Sequence, residues 1–466
     1  MVRTLGGLMF VMYAALLHAQ RLQLGVATSD ITPPVGAPMA GYYTPRFATG
    51  THDALHAKAM VLSDGTTKIA LIACDLVSLP RDISQDAREL ITQRTGIPAD
   101  HIMISATHAH TTPVIYTEPS RYNLEGEGKR ITLSYSRGLA ERIAASAVQA
   151  AERTQLVRVR ASVGEEATTG FNRRYFMQDG SVSWNPGKMN PKVVRPAGPV
   201  DTAVPVVVFE RPQGKPIAAY VNFGLHQDTT GGLEFSADFS YTLAKELESA
   251  EGNGFFTIFT VGAAGNVNHL DTAHEGKQNG FAEAERIGRA LAVAVKKAIV
   301  QAKPVNDTRL GVSDRVLKIP VPTYTPEEIA WAQKTQASFG TDHASPFLDL
   351  VKAGRVLELQ ARNGRSLEVE VQVFTLGREV AIAGFAGEMF AEFGIQLRED
   401  SPFRVTALAA LANGSLSYIP NRIAYEQGNY EPTSARLPAG TGEDLVHSAE
   451  VQLLELFKAA TRGAQP

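Results

Sequence analysis

The chain has 466 residues, of which 44% are hydrophobic and 20% are charged, so it can bury a large core in one large or two medium domains. Its 45 basic and 48 acidic residues give a net charge of −3, which provides no electrostatic attraction for nucleic acid or another polyanionic partner. The 40 glycines and 25 prolines are ordinary numbers for this length and exclude a fibrous or disordered protein.

Residues 1–19 have the pattern of a secretory signal peptide. Arg3 supplies the positive start, an apolar core runs from Leu5 to Leu17, and a small-residue cleavage site ends at Ala19. A membrane anchor is the alternative, but the apolar stretch is too short and no second one follows. We therefore expect a secreted or periplasmic protein. Residues 20–466 contain no clean linker and are predicted to form a single domain.

Apolar runs and helical periodicity predict strands and helices in mixed order along the rest of the chain. The first is a β-hairpin, with strands at 56–62 and 69–77 joined by a turn at Asp64-Gly65. Further strands are predicted at 102–104, 157–163, 204–210, 216–224, 255–261, 310–321, 367–376, 379–385 and 404–411. Helices are predicted at 83–94, 134–154, 241–249, 281–302, 326–337, 388–397 and 444–460.

This order predicts an α/β (mixed α+β) fold, with mixed β-sheets flanked by helices. No segment repeats at a fixed period, which argues against a solenoid or a propeller. The stretch 171–199 is polar and rich in Gly, Pro and Asn, and is predicted to be a long loop. Cys74 is the only cysteine, so no intramolecular disulfide is possible, and its apolar surroundings predict an inert core residue.

The most informative motif is Thr107-His108-Ala109-His110, at the end of a short apolar strand. Because residues two apart in a strand face the same side, both imidazoles are expected to project together from its carboxyl end. Two neutral imidazoles can bind a metal, or one can bind it while the other transfers protons. A hydrogen-bonded surface pair is the alternative, and the motif alone does not separate the two.

Two other reactive residues also follow apolar strands. His226 comes after 218–224, and Glu388 comes after 380–385 and opens a predicted helix. Taken singly, His226 is typical of a hydrogen-bonded loop residue, and Glu388 of a first-turn acid that complements the helix dipole. Together with His108 they give two imidazoles and one carboxylate, a recurring catalytic zinc set that leaves a position open for water.

With these residues assembled, the sequence resembles the catalytic domain of the neutral ceramidase family, which comprises secreted zinc amidases. The resemblance runs in order from about residue 24 to residue 431 and rests on five separated motifs. They are Thr107-His108-Ala109-His110, Asn172-Arg173, Phe223-Gly224-Leu225-His226, Gly387-Glu388, and a tyrosine-rich segment with Tyr418-Ile419, Tyr425 and Tyr430-Glu431. Chance does not readily produce this common order and spacing.

The resemblance implies one zinc ion per chain, with four ligands: His108, His226, Glu388 and Tyr418. His110 is then implied to be the general acid and base beside the metal. Tyr430 is implied to hydrogen-bond the substrate carbonyl oxygen as negative charge develops, and Arg173 to hold a polar or anionic part of the substrate. Without the resemblance, packing or solvation would explain Tyr418, Tyr430 and Arg173 equally well.

Departures from the family make the substrate uncertain. Family members have a Gly-Asp-Val-Ser-Pro-Asn loop whose serine has been assigned a nucleophilic role, whereas residues 265–270 here read Gly-Asn-Val-Asn-His-Leu, with Asn268 at the serine position. An amide cannot form an acyl-enzyme, so we expect metal-activated water as the nucleophile, with Asn268 orienting the water or the substrate. Thr111-Thr112-Pro113 replaces the family's Ser-Gly-Pro. Only residues 432–466 follow the tyrosine segment, so we expect no C-terminal immunoglobulin-like domain.

Four functions remain open at this point. The first is a secreted zinc hydrolase of an N-acyl amide, with ceramide-like lipids as leading substrates; the second keeps the zinc but takes another amide or an ester, such as a glycoconjugate. The third is an exported binding protein without turnover, which Asn268 favours. The fourth is a metallophosphoesterase, indicated by the histidine pair and Asp75, although few bridging Asp and Asn residues are present and Asp75 is better explained as a structural strand-end residue. No amphipathic basic helix stands out in the sequence, so nothing in it indicates contact with a membrane surface.

Overall fold

The computed structural model describes residues 22–44, 46–116, 124–339 and 343–462, so the predicted signal peptide lies outside the described residues. Its strands are β1 Gln23–Asp30, β2 Pro38–Met39, β3 Arg46–Phe47, β4 Gly50–Thr51, β5 His56–Ser63, β6 Lys68–Cys74, β7 Ile102–Ala106, β8 Gln155–Leu156, β9 Arg158–Glu165, β10 Phe171–Asn172, β11 Arg174–Met177, β12 Val182–Trp184, β13 Val193–Pro196, β14 Ala203–Glu210, β15 Pro216–Phe223, β16 Glu234–Phe235, β17 Phe256–Val261, β18 Val267–Asn268, β19 Lys303–Pro304, β20 Leu310–Ile319, β21 Leu367–Leu376, β22 Val380–Phe385, β23 Glu388–Met389, β24 Val405–Ala409 and β25 Tyr418–Ile419. Its helices are α1 Arg81–Thr95, α2 Gly126–Arg137, α3 Leu139–Glu152, α4 Phe239–Glu251, α5 Phe281–Gln301, α6 Pro326–Ala337, α7 Phe347–Gln360, α8 Ala391–Glu399, α9 Arg422–Gln427, α10 Tyr430–Ser434 and α11 Thr441–Arg462.

Three mixed sheets form the body of the fold and share one arrangement. Their strand orders are β7-β6-β5-β1-β8, β17-β15-β14-β9-β19 and β20-β21-β22-β24. Each combines antiparallel hairpins with one parallel pair: β6 with β7, β15 with β17, and β22 with β24. A helix crosses over between the two strands of each pair, namely α1, α4 and α8. The predicted fold of mixed sheets flanked by helices is therefore confirmed.

The three sheets pack against one another around a common apolar core. Met103 of β7, Tyr220 of β15 and Ile382 of β22 belong to the same cluster of buried side chains. On their other faces the sheets are covered by helices: α3 on β1 and β5, α5 on β9 and β14, and α11 on β20 and β21. Burial on both faces explains why many of these strands are continuous apolar runs and not alternating ones.

Hydrogen bonds lock the sheets together near the carboxyl ends of the parallel strands. The buried Asn413 side chain accepts from the Ile104 amide at 2.9 Å and donates to Glu370 at 2.8 Å. Asn222 donates to the Leu408 carbonyl at 2.9 Å. These contacts fix the loops that follow the three parallel pairs relative to one another, because the bonded groups are buried and cannot turn to water instead.

Most predicted elements are present, but two predictions are wrong and one long helix was missed. Residues 134–154 form two helices and not one, because Gly138, a poor helix former, separates α2 from α3. Residues 171–199 are not a loop: they contain β10 and a small sheet of order β12-β11-β13, held by long-range contacts that no local pattern reveals. Helix α7 was not predicted. Among the described residues, no helix is long and apolar enough to cross a membrane.

Candidate active site

The two histidines and the glutamate among the predicted zinc ligands each follow a strand that belongs to one of the three parallel strand pairs. His108 lies two residues beyond β7, His226 three beyond β15 and Glu388 three beyond β22. Since ligand sites in sheets with helical crossovers form beyond the carboxyl ends of parallel strands, these positions face one another across the junction of the sheets. The site is thus a product of three separate sheets and not of one motif.

His108 has an unusual backbone that aims its side chain. Its φ is 73°, in the left-handed region that costs a non-glycine residue about 1–2 kcal/mol. The prediction that strand alternation orients the histidine pair is wrong, because the strand ends at Ala106, before both histidines. The His108 amide donates to the Leu76 carbonyl at 2.9 Å, and Nδ1 donates to the Val77 carbonyl at 2.7 Å. These bonds hold the strained conformation and leave the Nε2 lone pair facing inward.

His226 is oriented by the same device. Its Nδ1 donates to the Ala264 carbonyl at 2.8 Å, and the side chain is almost fully buried. A metal-binding histidine generally uses its second nitrogen in this way, which fixes both the tautomer and the ring plane. The Nε2 atoms of His108 and His226 lie 3.3 and 3.2 Å from the same atom, Oε2 of Glu388.

Glu388 reaches the histidines from a strand and not from a helix. The predicted helix begins later, at Ala391, because Glu388 and Met389 pair in parallel with Tyr418 and Ile419. In that register Glu388 is directly opposite Tyr418, so the two side chains are neighbours on one face. Oε2 of Glu388 is buried and accepts no hydrogen bond from the described residues.

This donor set fits a zinc ion. Ligand atoms about 2.0–2.1 Å from a tetrahedral zinc lie roughly 3.3 Å apart, which matches the separations of 3.2 and 3.3 Å between Glu388 and the two histidines. A buried carboxylate oxygen without a hydrogen-bond partner is costly unless a cation offsets it. Tyr418, buried and opposite Glu388, supplies a phenol oxygen as a possible fourth ligand.

The protonation states of His226 and Glu388 also fit metal binding. Burial, Arg173 and His108 lower the pKa of His226 to about 3, so its imidazole is neutral at pH 7. Burial alone would raise the pKa of Glu388, but His108 and His226 outweigh it and hold that pKa well below its usual range. Neutral imidazole and ionised carboxylate are the forms that bind a metal without first releasing a proton.

His110 stands beside this set and is the more accessible histidine. Its Nε2 lies 3.3 Å from Nε2 of His108, and ligand atoms of His108, His110 and His226 all fall within 4.8 Å of one another. The distances therefore also permit His110 as an alternative ligand, and its acid–base role stays a prediction. Burial holds the pKa of His110 well below its usual value, so its imidazole is neutral and able to accept a proton.

Asp228 is a site residue that the sequence analysis did not select. Its Oδ1 lies 3.6 Å from Nδ1 of His110 and also accepts a hydrogen bond from the Tyr42 hydroxyl. A carboxylate on one side of an imidazole favours the tautomer that leaves the other nitrogen free for proton transfer. The signal in the sequence was its position two residues after His226, in the same loop.

Arg173 is in direct contact with the site: one Nη lies 3.2 Å from Nε2 of His226, and the residue is 4% exposed. It donates to Glu431 at 2.9 Å and to the Gly265 carbonyl at 2.8 Å, and its guanidinium lies 5.2 Å from the centre of the Tyr418 ring. These contacts make it a support for Tyr418 and Glu431. Its predicted contact with substrate remains a prediction.

Asn268 lies next to the site in a short strand pair. β18 pairs with β10, and the Asn268 side chain donates to Asn185 at 3.1 Å and accepts from the Leu270 amide at 3.1 Å. It is 5% exposed and is not among the described residues that line the cavity beside the histidines. The prediction that it orients water or substrate is not decided by these contacts.

A cavity of about 430 Å³ opens beside the site. His108, His110, Glu388, Tyr418 and Tyr430 all line it. The Tyr430 ring stacks among aromatic side chains that the sequence analysis did not select, 4.5 Å from Trp184 and 5.6 Å from Phe347 between ring centres. The cavity gives a substrate access to the predicted ligands, to the predicted acid–base residue and to the predicted carbonyl-binding tyrosine.

The fold and this geometry define an α/β protein with two buried histidines and a glutamate brought together beside a cavity. Residues 22–230 match the family model for the N-terminal region of neutral/alkaline non-lysosomal ceramidases. Neutral ceramidase A of Dictyostelium discoideum is 28% identical over 214 residues, which make up 44% of this chain and 28% of that protein. The resemblance to neutral ceramidases is therefore confirmed, although the match spans less than a third of that relative.

Solved structures extend the likeness of the fold to nearly the whole chain. The crystal structure of neutral ceramidase from Pseudomonas aeruginosa has a TM-score of 0.70 and 17% identity, with 95% of this chain and 75% of that chain covered. A ceramidase complexed with C2 gives the same TM-score and identity, with 95% and 76% coverage. The fold of this chain is therefore similar to that of these ceramidases.

Proposed function

We propose that the protein is a zinc-dependent hydrolase of an N-acyl amide bond, with a ceramide-like amide as the leading substrate class. The observation that carries the proposal is that Nε2 of His108 and Nε2 of His226 lie 3.3 and 3.2 Å from one carboxylate oxygen of Glu388, beside a cavity that the more accessible His110 lines. The sequence and fold relationship to neutral ceramidases supports the choice of an amide. A non-ceramide amide or an ester uses the same site and is the second candidate.

Zinc held by His108, His226, Glu388 and Tyr418 would supply Lewis-acid polarisation of a carbonyl and acidify a water, contributions worth several kcal/mol. The protein's own groups account for the proton transfers. Asp228 faces Nδ1 of His110, so Nε2 is the nitrogen that takes a proton from the attacking water and returns it to the leaving amine. Tyr430, at the cavity wall, donates a hydrogen bond to the carbonyl oxygen as it gains negative charge.

Several observations disfavour a two-metal phosphoesterase. In the part of the chain that the structure describes, the only group of three or more His, Cys, Asp or Glu residues arranged for a metal is His108, His110 and His226. Asp75 instead accepts a hydrogen bond from the His56 amide at 2.9 Å, at the end of the first hairpin, as a structural strand-end residue. Cys74 is buried and free, as predicted for an inert core residue.

The reaction class is tested by hydrolysis assays on purified protein with N-lauroylsphingosine, an N-acyl sugar amide and an aryl phosphate, before and after chelation. We expect amide hydrolysis that a chelator abolishes and added zinc restores, because the site needs its metal to activate water. Chelator-resistant amidase activity, or turnover of the phosphate alone, contradicts the proposal. Binding of an amide without turnover would favour the exported binding protein.

Export is part of the proposal and rests on the composition of residues 1–19 alone. The apolar core and the small-residue site predict cleavage after Ala19. N-terminal sequencing of protein recovered from the periplasm or medium of an expressing bacterium should give Gln20 as the first residue. Recovery of an uncleaved chain beginning at Met1 from the cytoplasm would contradict it.

A further inference from the structure

The cavity beside the site has a strongly basic wall. Apart from the predicted metal ligands and His110, its charged lining residues are Arg362, Arg365, Arg436 and Glu358. Three guanidinium groups therefore face one carboxylate. Such a wall is unsuited to an alkyl chain, because apolar groups would leave the guanidinium charges desolvated and unpaired.

A tight turn of the backbone places Arg362 and Arg365 close together. Residues 362–365 read Arg-Asn-Gly-Arg, and the Arg365 amide donates to the Arg362 carbonyl at 3.0 Å. Asn363 and Gly364 have φ values of 48° and 73°, as a type I′ turn requires. The two arginines therefore occupy the first and last positions of a tight turn between α7 and β21.

The charges of this turn are not neutralised within the protein. Arg362 and Arg365 form no ion pair with any carboxylate of the described residues, and their guanidinium groups bind backbone carbonyls. Nε of Arg365 donates to the Arg362 carbonyl at 3.1 Å, and Nη2 of Arg362 donates to the Ser366 carbonyl at 3.3 Å. Arg436 is different, since its guanidinium is paired with Glu358 on α7. Two adjacent like charges repel unless a ligand or solvent compensates them.

We propose that the substrate carries an oxyanion, a carboxylate or a phosphate, which Arg362 and Arg365 bind while the amide lies at the histidine site. This inference rests on the proposed amide hydrolase function and narrows its substrate to an anionic amide, which ceramide itself, being neutral, is not. The planar, forked guanidinium group matches both oxyanions, and two of them together select an anionic amide over a neutral one. Val77, Val114 and Ile115 give the same cavity an apolar patch for part of an acyl chain.

The test compares three amides with one acyl chain: neutral N-lauroylethanolamine, N-lauroylglycine and N-lauroylphosphoethanolamine. Wild-type protein should show a higher kcat/KM for at least one anionic amide, and the anion that is preferred identifies the oxyanion. In the double variant Arg362→Gln, Arg365→Gln, the ratio of anionic to neutral kcat/KM should fall roughly tenfold or more, as loss of charge-assisted hydrogen bonds predicts. Arg153→Gln, an exposed arginine after α3, should leave the ratio unchanged.

Each outcome decides one of the two proposals. Equal kcat/KM for all three amides, or an unchanged ratio in the double variant, overturns the oxyanion inference and leaves the amidase function standing. If no amide is hydrolysed, the amidase function fails, and calorimetric titration with the same three compounds decides the inference. Tighter binding of an anionic compound by wild type than by the double variant supports it, and equal binding overturns it.

Discussion

At the scale of single residues, the site is built by hydrogen bonds that orient atoms before any ligand binds. His108 and His226 each donate from Nδ1 to a backbone carbonyl, of Val77 and of Ala264, at 2.7 and 2.8 Å. Neither ring can turn without losing a buried hydrogen bond, which costs about 1–3 kcal/mol. The left-handed backbone of His108 is tolerated for the same reason, since two hydrogen bonds hold it.

Asp228 is the residue whose role is easiest to isolate by mutation. Asp228→Asn keeps the shape of the side chain but removes the charge beside Nδ1 of His110. We expect kcat to fall about 10–100-fold, as for other groups that orient a reacting histidine, with KM and zinc content little changed. Steady-state kinetics and metal analysis of the same preparation measure these quantities.

Asp179→Asn, in an exposed turn that does not line the cavity, serves as the matched control. It should retain the wild-type kcat. A wild-type kcat in Asp228→Asn would show that His110 does not depend on Asp228. A loss of zinc or of thermal stability in step with kcat would instead show that Asp228 only maintains the fold.

At the scale of elements, the sequence predicted what local patterns encode. The hairpin of β5 and β6 and the helices α5, α6 and α11 appear within a few residues of their predicted bounds, because apolar periodicity and turn residues are local signals. The small sheet of β11, β12 and β13 was missed, since its strands are only three or four residues long. It is held in place from a distance: Arg174 is buried against Glu431, 257 residues away in sequence.

The same distinction explains the site. His108, His226 and Glu388 were predicted because each follows an apolar strand, a pattern visible in the chain. Tyr418 was found only through the family resemblance, because its place opposite Glu388 depends on a two-residue strand pair. Arg362 and Arg365 were missed although Asn363-Gly364 is a strong turn signal, since nothing local shows which cavity a turn faces.

Asp314 on β20 gives a stability prediction at this scale. Burial, with the charge of nearby Glu370, raises its pKa to about 7 in the folded protein. An acid with a raised pKa destabilises the fold as pH rises from its unfolded pKa, near 4, and the full effect is present above pH 7. Because the group is partly solvated, we expect Asp314→Asn to stabilise the protein by about 1–2 kcal/mol at pH 8 and by close to zero at pH 4.

Urea denaturation at the two pH values measures this difference. Asp307→Asn provides the opposite case, because hydrogen bonds from Arg309 outweigh burial and lower the pKa of Asp307. Its loss should not stabilise the protein at pH 8. Equal effects of Asp314→Asn at both pH values would mean that its carboxyl group has an ordinary pKa in the folded state.

At the scale of the whole molecule, the arrangement of three similar sheets explains why the site exists. Each sheet contributes one parallel strand pair, and the loops after β7, β15 and β22 carry one predicted ligand each. The shared apolar core and the bonds of Asn413 and Asn222 hold these loops in register. No single sheet carries the set, so the geometry depends on the complete fold.

Elemental analysis of the purified protein after exhaustive dialysis measures whether the predicted ligands hold a metal ion. We predict one zinc per chain in the wild type, near-complete loss in His226→Ala and in Glu388→Ala, and full retention in His447→Ala, which removes an exposed histidine of α11. A wild type that binds no metal or two metals per chain, or a His226→Ala variant that binds as much zinc as the wild type, would contradict this prediction.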